Sequence, residues 1–268
     1  MRAALAGAAR PVGLVPTMGA LHEGHASLIR RARADSSTVL VTIFVNPRQF
    51  NEAGDFDEYP RDEAADLRTA GAAGADLVWI PPVDEVYPPG FRTSVRVAGL
   101  TEPLEGAVRP GHFEGVTTVV AILLELAGAE RAYFGQKDAQ QLLVVRRMAS
   151  DLGMGTEIVA CPIVREPDGL ARSSRNVRLT GEERAAAPVL RRALLAARAR
   201  YESGERSGDA LRAAMRAMLA SEPLAIPEYV SCADPETLAE LAEIGSPALL
   251  SMAVRFGAVR LIDNESLA

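Results

Sequence analysis

The sequence predicts an α/β fold, a parallel sheet covered by helices on both faces, joined to a second and smaller α+β domain. Three observations carry that prediction. Strand and helix patterns alternate through the first part of the chain, the strand runs are almost continuous in Val, Ile and Leu, and the character changes after about Arg165. Near-continuous apolar strands belong to sheets buried on both faces, as parallel sheets in α/β domains are.

Val12 to Val15 reads as the first strand. Ala26 to Ala34 follows as a helix, with Leu28 and Ile29 on its apolar side and Arg30, Arg31 and Arg33 outside. Strand Thr38 to Phe44, helix Asp62 to Ala70 and strand Leu77 to Ile80 complete a βαβαβ run. After a loop-rich middle the alternation resumes with helix Val116 to Leu126, strand Arg131 to Phe134, helix Ala139 to Leu152 and strand Glu157 to Val164. Beyond it, Gly181 to Ser203 reads as one long helical stretch and Gly208 to Ala220 as a second helix. Tyr229 to Cys232, Ala248 to Val254 and Val259 to Ile262 read as strands of a small sheet. The predicted domains are therefore 1–165 and 166–268, with a hinge-like loop over Arg165 to Thr180.

Composition narrows the function classes. A chain of 268 residues that is 48% hydrophobic can bury a real core. Its formal net charge of −6 argues against general nucleic-acid binding, which needs clustered Lys and Arg. Two distant cysteines, Cys161 and Cys232, make no disulfide framework. No apolar run reaches membrane-spanning length and no signal-peptide core opens the chain, so a cytoplasmic protein is expected.

The most informative segment is Pro16 to His25, which holds two of only three histidines and links the first strand to the first helix. Backbone N–H groups at a helix start lack intrahelical partners, and the small Gly19, Ala20 and Gly24 are expected to let a phosphate approach them. His22 and His25, three residues apart, face one side and can donate to phosphoryl oxygens. This reads as a nucleoside triphosphate site. The competing readings are a purely structural turn or half a zinc site, and the latter lacks a second ligand pair and any His-Glu-x-x-His pattern.

In α/β sheets ligands bind outside the carboxyl ends of the strands, and polar residues gather there in this sequence. The second strand runs into Phe44 to Asn51, where Asn46 and Gln49 can both donate and accept, as a small hydroxy acid requires; capping the turn is the competing role for Asn46, which precedes a proline. Arg109 to Gly115, with the third histidine His112, reads as a loop leading into the apolar helix. Phe134-Gly135-Gln136-Lys137-Asp138 ends a strand and opens a helix carrying Gln140 and Gln141; Lys137 can neutralise phosphate charge beside the Gly135 turn. Asp168 to Asn176 joins the domains, and Arg172, Ser173, Ser174 and Arg175 make a clamp suited to polyphosphate.

Taken in order, PTMGALHEGH, IFVNPRQF, RPGHFEGV, YFGQKDAQQ, DGLARSSRN and RLIDN resemble the pantoate–β-alanine ligase family of the His-x-Gly-His nucleotidyltransferases over nearly the whole chain. The resemblance implies a Rossmann-like N-terminal domain, a C-terminal lid domain, a homodimer, and ATP with Mg²⁺. It implies that the (R)-pantoate carboxylate attacks the α-phosphorus of ATP to give pantoyl adenylate, and that β-alanine then displaces AMP. By the same resemblance Met18, Gly19, Ala20, Leu21, His22, Glu23, Gly24 and His25 line the ATP site, with His25 the family's proton donor, which we read as a hydrogen-bonding and electrostatic catalyst. Gln49 and Gln141 would hold pantoate, with Asn46 beside them and Gln49 also near β-alanine. Gly135, Gln136, Lys137, Asp138 and Val164 would contact ATP, Lys137 on phosphate and Asp138 on ribose. Arg172, Ser173, Ser174 and Arg175 would close on the nucleotide, the last three over its phosphates. Mg²⁺ would bridge phosphates with few protein ligands, and Gly111 to Leu126 is a candidate dimer surface. Two departures stand out: Arg172 occupies a position where the family carries Met or Leu, and only about ten residues precede the first strand. The rival readings are an enzyme that stops at nucleotide transfer, a tRNA-binding module, and an inactive nucleotide sensor.

Overall fold

The structure, a computed structural model, describes residues 1–50, 56–57, 59–245 and 247–267; Asn51 lies outside them. The chain divides into two compact units, Met1–Ile163 and Val164–Ala268.

The first unit is built on a parallel five-stranded sheet of order β3-β2-β1-β4-β5, with β1 at Val12–Thr17, β2 at Thr38–Ile43, β3 at Leu77–Trp79, β4 at Arg131–Gly135 and β5 at Glu157–Cys161. Its long helices are α1 (Glu23–Asp35), α2 (Glu63–Ala73), α3 (His112–Ala127) and α4 (Ala139–Asp151). Successive strand residues point to opposite faces, and here each face has its own apolar layer. Val12, Leu14, Leu40, Ala132 and Phe134 join α3 and α4 residues such as Val120, Leu124 and Val145. Val15, Val39, Val41 and Tyr133 join Ile29, Ala32 and Ala70 from α1 and α2. The order reverses at β1, which lies between β2 and β4, so the carboxyl ends of β1 and β4 form the crevice where such sheets take ligands. Thr17 and Gly135 end those two strands.

The second unit pairs β6 (Ile226–Ala233), β7 (Ala248–Phe256) and β8 (Val259–Leu267) antiparallel. Helices α5 (Val189–Glu202) and α6 (Gly208–Ala220) share a core with them through Leu190, Leu194, Leu211, Met215, Leu250 and Phe256.

Among the expected boundaries that move, three have a plain physical reason. The stretch Gly181 to Ser203 is broken at Ala187 and Pro188 into a short helix Gly181–Ala186 and α5; proline offers no N–H to the carbonyl four residues earlier and its ring crowds it. β5 stops at Cys161, before Pro162. β8 continues through Asp263 and Glu265 to Leu267. Those acids lie beyond the expected strand end at Ile262 and are held by arginines, Asp263 by Arg165 (2.7 and 2.9 Å) and Glu265 by Arg191 (2.5 Å) and Arg198. Both cysteines are buried thiols, and among the described residues no helix is long and apolar enough to cross a membrane.

Candidate active site

The turn between β1 and α1 organises itself from within. Gly19 and Ala20 take left-handed backbone angles (φ +86° and +50°). Their bend brings two consecutive amides onto one carboxylate: Ala20 N–H donates to Asp66 Oδ2 (3.0 Å) and Leu21 N–H to Asp66 Oδ1 (2.7 Å). His22 caps α1, accepting the Gly24 N–H at Nδ1 (3.1 Å), while its own N–H donates to His25 Nδ1 (3.3 Å). The two rings lie with centroids 4.1 Å apart. An imidazole that accepts at Nδ1 carries its proton at Nε2, so this network makes both histidines neutral Nε2–H donors.

The N–H groups of Ala20, Leu21, His22 and Gly24, expected to lie open to an anion, donate inside the protein in this structure. The glycines serve the same internal order. A Cβ at Gly24 would come within 2.8 Å of the His22 ring, and one at Gly19 within 2.9 Å of Asp66 Oδ2.

Burial, then His22, then Lys137 push the His25 pKa down from 6.5 to about 3, which agrees with the neutral tautomer. Lys137 stands in the 3₁₀ turn Gln136–Asp138 directly after β4, its Nζ 3.9 Å from Asp138 Oδ1. The switch point thus brings the histidine pair and Lys137 together, as their places at the ends of β1 and β4 predicted.

After β2 the chain enters a 3₁₀ turn, Pro47–Gln49, capped by Asn46, whose Oδ1 accepts the Arg48 N–H (3.3 Å). Asn46, expected beside the substrate, is held here by contacts within the protein. It is 1% exposed, and its carboxamide is fully used: Nδ2 donates to Gln49 Oε1 (3.0 Å) and Gly115 O (3.1 Å), while Oδ1 also accepts from Tyr87 Oη (2.8 Å). Burial raises the Tyr87 pKa to about 12, keeping it a donor. Gln49 has Nε2 3.1 Å from Met18 Sδ, which ties this turn to the histidine-bearing one.

His112 completes the turn from the other side. Its Nδ1–H donates to the Gln49 carbonyl (2.9 Å), its Nε2 accepts from Arg109 (3.2 Å), and Arg109 also reaches that carbonyl (3.3 Å). Burial, then Arg109, lowers the His112 pKa to about 4. Of the segment Arg109 to Gly115 expected as loop, His112 to Gly115 form the first turn of α3. Gly115 reads as a loop residue but is a packing residue, since a Cβ there would lie 2.3 Å from Arg48 O. Twelve of the sixteen residues of α3 are buried, so its apolar character is explained by the core and lends the proposed dimer surface no support. On α4, Gln141 is partly exposed, whereas Gln140 is buried on the backbone of Leu100, Pro103 and Glu105.

In the second unit, Val164 opens a loop that turns back on itself: Arg172 N–H donates to Val164 O (2.9 Å) and Glu166 N–H to Leu170 O (2.8 Å). Ser173 caps the 3₁₀ turn Ser174–Arg178 by accepting the Arg175 N–H (3.2 Å), and Ser174 and Arg175 are partly exposed. Arg172 pairs with Glu166 at 3.0 Å, so its guanidinium charge is met within its own loop.

Sequence reasoning missed Asp66 and Tyr87 altogether. Neither sits in a motif, and each reaches its partner across more than forty positions of chain.

A parallel sheet of this order with polar residues gathered at its switch point puts the protein in the class of doubly wound α/β proteins that take ligands there. Within that class the comparisons with known proteins are specific. The family model described as pantoate-beta-alanine ligase matches residues 1–266. The chain is 60% identical over 263 residues to a protein named pantothenate synthetase from Roseiflexus castenholzii, covering 98% of this chain and 94% of that one. It superposes on the crystal structure of pantothenate synthetase from Thermus thermophilus with a TM-score of 0.95 and 49% identity, covering 99% and 97% of the two chains. The crystal structure of a pantoate-beta-alanine ligase from Francisella tularensis complexed with beta-gamma ATP and beta-alanine matches with a TM-score of 0.79 and 31% identity over 98% and 93% of the two chains. The chain belongs to the pantoate-beta-alanine ligase family and is a ligase.

Proposed function

We propose that this protein joins (R)-pantoate to β-alanine with ATP, through a pantoyl-adenylate intermediate, releasing pyrophosphate and then AMP. The observation that carries the reading is the pair of neutral, Nε2-protonated imidazoles beside Lys137 at the switch point, with the Gln49 carboxamide at the neighbouring strand end. The Francisella tularensis relative supports ATP and β-alanine as the other two reactants.

In the first step a pantoate carboxylate oxygen bonds to the α-phosphorus and the bond to pyrophosphate breaks. Two anions must be aligned and the charge on the phosphoryl oxygens met, so positioning and electrostatics do most of the work. His22 and His25 donate Nε2–H to phosphate oxygens and Lys137 supplies a full positive charge. His25 acts as a hydrogen-bond donor that keeps its proton, in keeping with its low pKa. Gln49 and Gln141 orient pantoate, Asp138 takes the ribose, and Gly135, Gln136 and Val164 line the nucleotide. Ser173, Ser174 and Arg175 are assigned to the phosphates, as the resemblance implies, and Arg172 stays with Glu166. In the second step the β-alanine amine attacks the acyl carbon, the bond to AMP breaks, and the ammonium proton is lost.

Mg²⁺ would be held chiefly by nucleotide oxygens and would screen their charge; among the described residues no group of three His, Cys, Asp or Glu side chains gathers to hold a metal. A homodimer in the cytoplasm is part of the same reading.

The test is pantoate-dependent exchange of labelled pyrophosphate into ATP with Mg²⁺, first without β-alanine and then with it. Exchange followed by AMP and pantothenate is expected. Exchange with no amide product would leave an enzyme that stops at nucleotide transfer, and no exchange by the folded protein would overturn the reading.

A further inference from the structure

We propose that Asp66 is a positioning residue for the adenylation step: a built-in anion that fills the amide cradle of the β1–α1 turn and so hands phosphate recognition to the imidazoles. The inference rests on the ATP-dependent reading given above.

Asp66 is the fourth residue of α2 and is 3% exposed. Both of its oxygens accept from consecutive amides, those of Ala20 and Leu21. Two successive residues with positive φ, Gly19 and Ala20, present those amides on one side of the chain, and convergent backbone N–H groups of this kind make an anion-binding concavity. Here the occupant is the protein's own carboxylate. Bonds from amides to an ionised carboxylate are stronger than neutral ones, and a phosphate arriving from solvent would have to displace a tethered, buried group to use them.

Two consequences follow. The Ala20 and Leu21 amides stay with Asp66 when nucleotide binds. The chain then enters α1 in one conformation, with His22 as cap and its N–H on His25 Nδ1, so both Nε2 donors are aimed before substrate arrives. The stereochemistry of the turn shows how tightly the carboxylate is fitted, because even a Cβ at Gly19 would press against Asp66 Oδ2.

The experiment has two arms. In Asp66→Asn one carboxylate oxygen becomes an NH₂ that faces an amide N–H. Because small displacements of positioning groups can cost up to about a hundredfold in rate, pyrophosphate exchange should fall by at least about tenfold in kcat. The KM for pantoate should stay within about twofold, and aminolysis of supplied pantoyl adenylate within about threefold, since that step reacts at the acyl carbon. Exchange at the wild-type rate, or equal loss in both half-reactions with a lowered Tm, overturns the proposal. The second arm needs no variant. In ¹⁵N-labelled wild-type protein the Ala20 and Leu21 amide protons should be protected from exchange with solvent and keep their shifts when a non-hydrolysable ATP analogue binds. Amides that exchange freely, or that move on to the analogue, overturn it. Failure of the ligase reading would appear separately, as absence of exchange in the wild-type protein.

Discussion

The turns that follow β1 and β2 lie side by side at the carboxyl edge of the sheet, yet they are restrained in opposite ways. After β1 the backbone holds the side chains: main-chain N–H groups fix the His22 and His25 rings through Nδ1. After β2 the side chains hold the backbone: His112 and Arg109 pin the Gln49 carbonyl while Asn46 holds its carboxamide. The protein's three histidines illustrate the contrast, two protonated at Nε2 and one at Nδ1. A group that must meet phosphate charge is preset by local chain geometry, whereas one that must fit a small organic acid is set by residues from far along the sequence.

The largest effect that would break this contrast is expected at His25. His25→Ala removes a preset donor, and losing one such donor costs about a hundred- to a thousandfold in kcat; pyrophosphate exchange should fall accordingly, and a rate within about threefold of wild type would end its assigned role. Next comes the β2 turn. Gln49→Ala should weaken pantoate binding by about tenfold with ATP binding nearly unchanged, while Asn46→Ala should also destabilise the fold by about 1–3 kcal/mol, because it strands buried partners. Titration calorimetry and denaturant melts separate the two, and a stable Asn46→Ala protein with normal pantoate affinity would contradict the supporting role.

A smaller effect is expected from pH. His25 and His112 titrate near 3 and 4 in the folded protein, below the ordinary 6.5, so the unfolded chain binds protons that the folded one refuses. Their contribution to stability is therefore intact above pH 6.5 and declines as pH falls toward 4. Tm should drop between pH 7 and 5, where carboxylates remain ionised, and the slope should be shallower in His112→Gln. Arg172→Leu should do least. Its partly exposed pair with Glu166 is worth about 0–1 kcal/mol, so the KM for ATP should stay within about twofold of wild type.

The sheet was legible because its strands are apolar on both faces, and the histidine turn because imidazoles are rare and closely spaced. The rest was hidden by contact at a distance. Asp66 reads as one more acid on a solvated helix, and only the folded chain brings it to the Ala20 and Leu21 amides. Asn46 looks the same to sequence reasoning whether it faces a ligand or buries all four of its hydrogen-bonding valences. Asp263 and Glu265 masked the end of β8 because the arginines that neutralise them lie on other elements.

Gly115 ties the interior of the first unit to the turn proposed to hold pantoate. A methyl group there would sit 2.3 Å from the Arg48 carbonyl oxygen, so α3 or the turn would have to retreat by roughly 1 Å to restore ordinary contact. The depth of the substrate turn and the seating of the core helix are thus one mechanical coordinate. Anyone enlarging that turn to admit a bulkier acid must redesign the α3 side of the core along with it, since the helix backbone is already its wall.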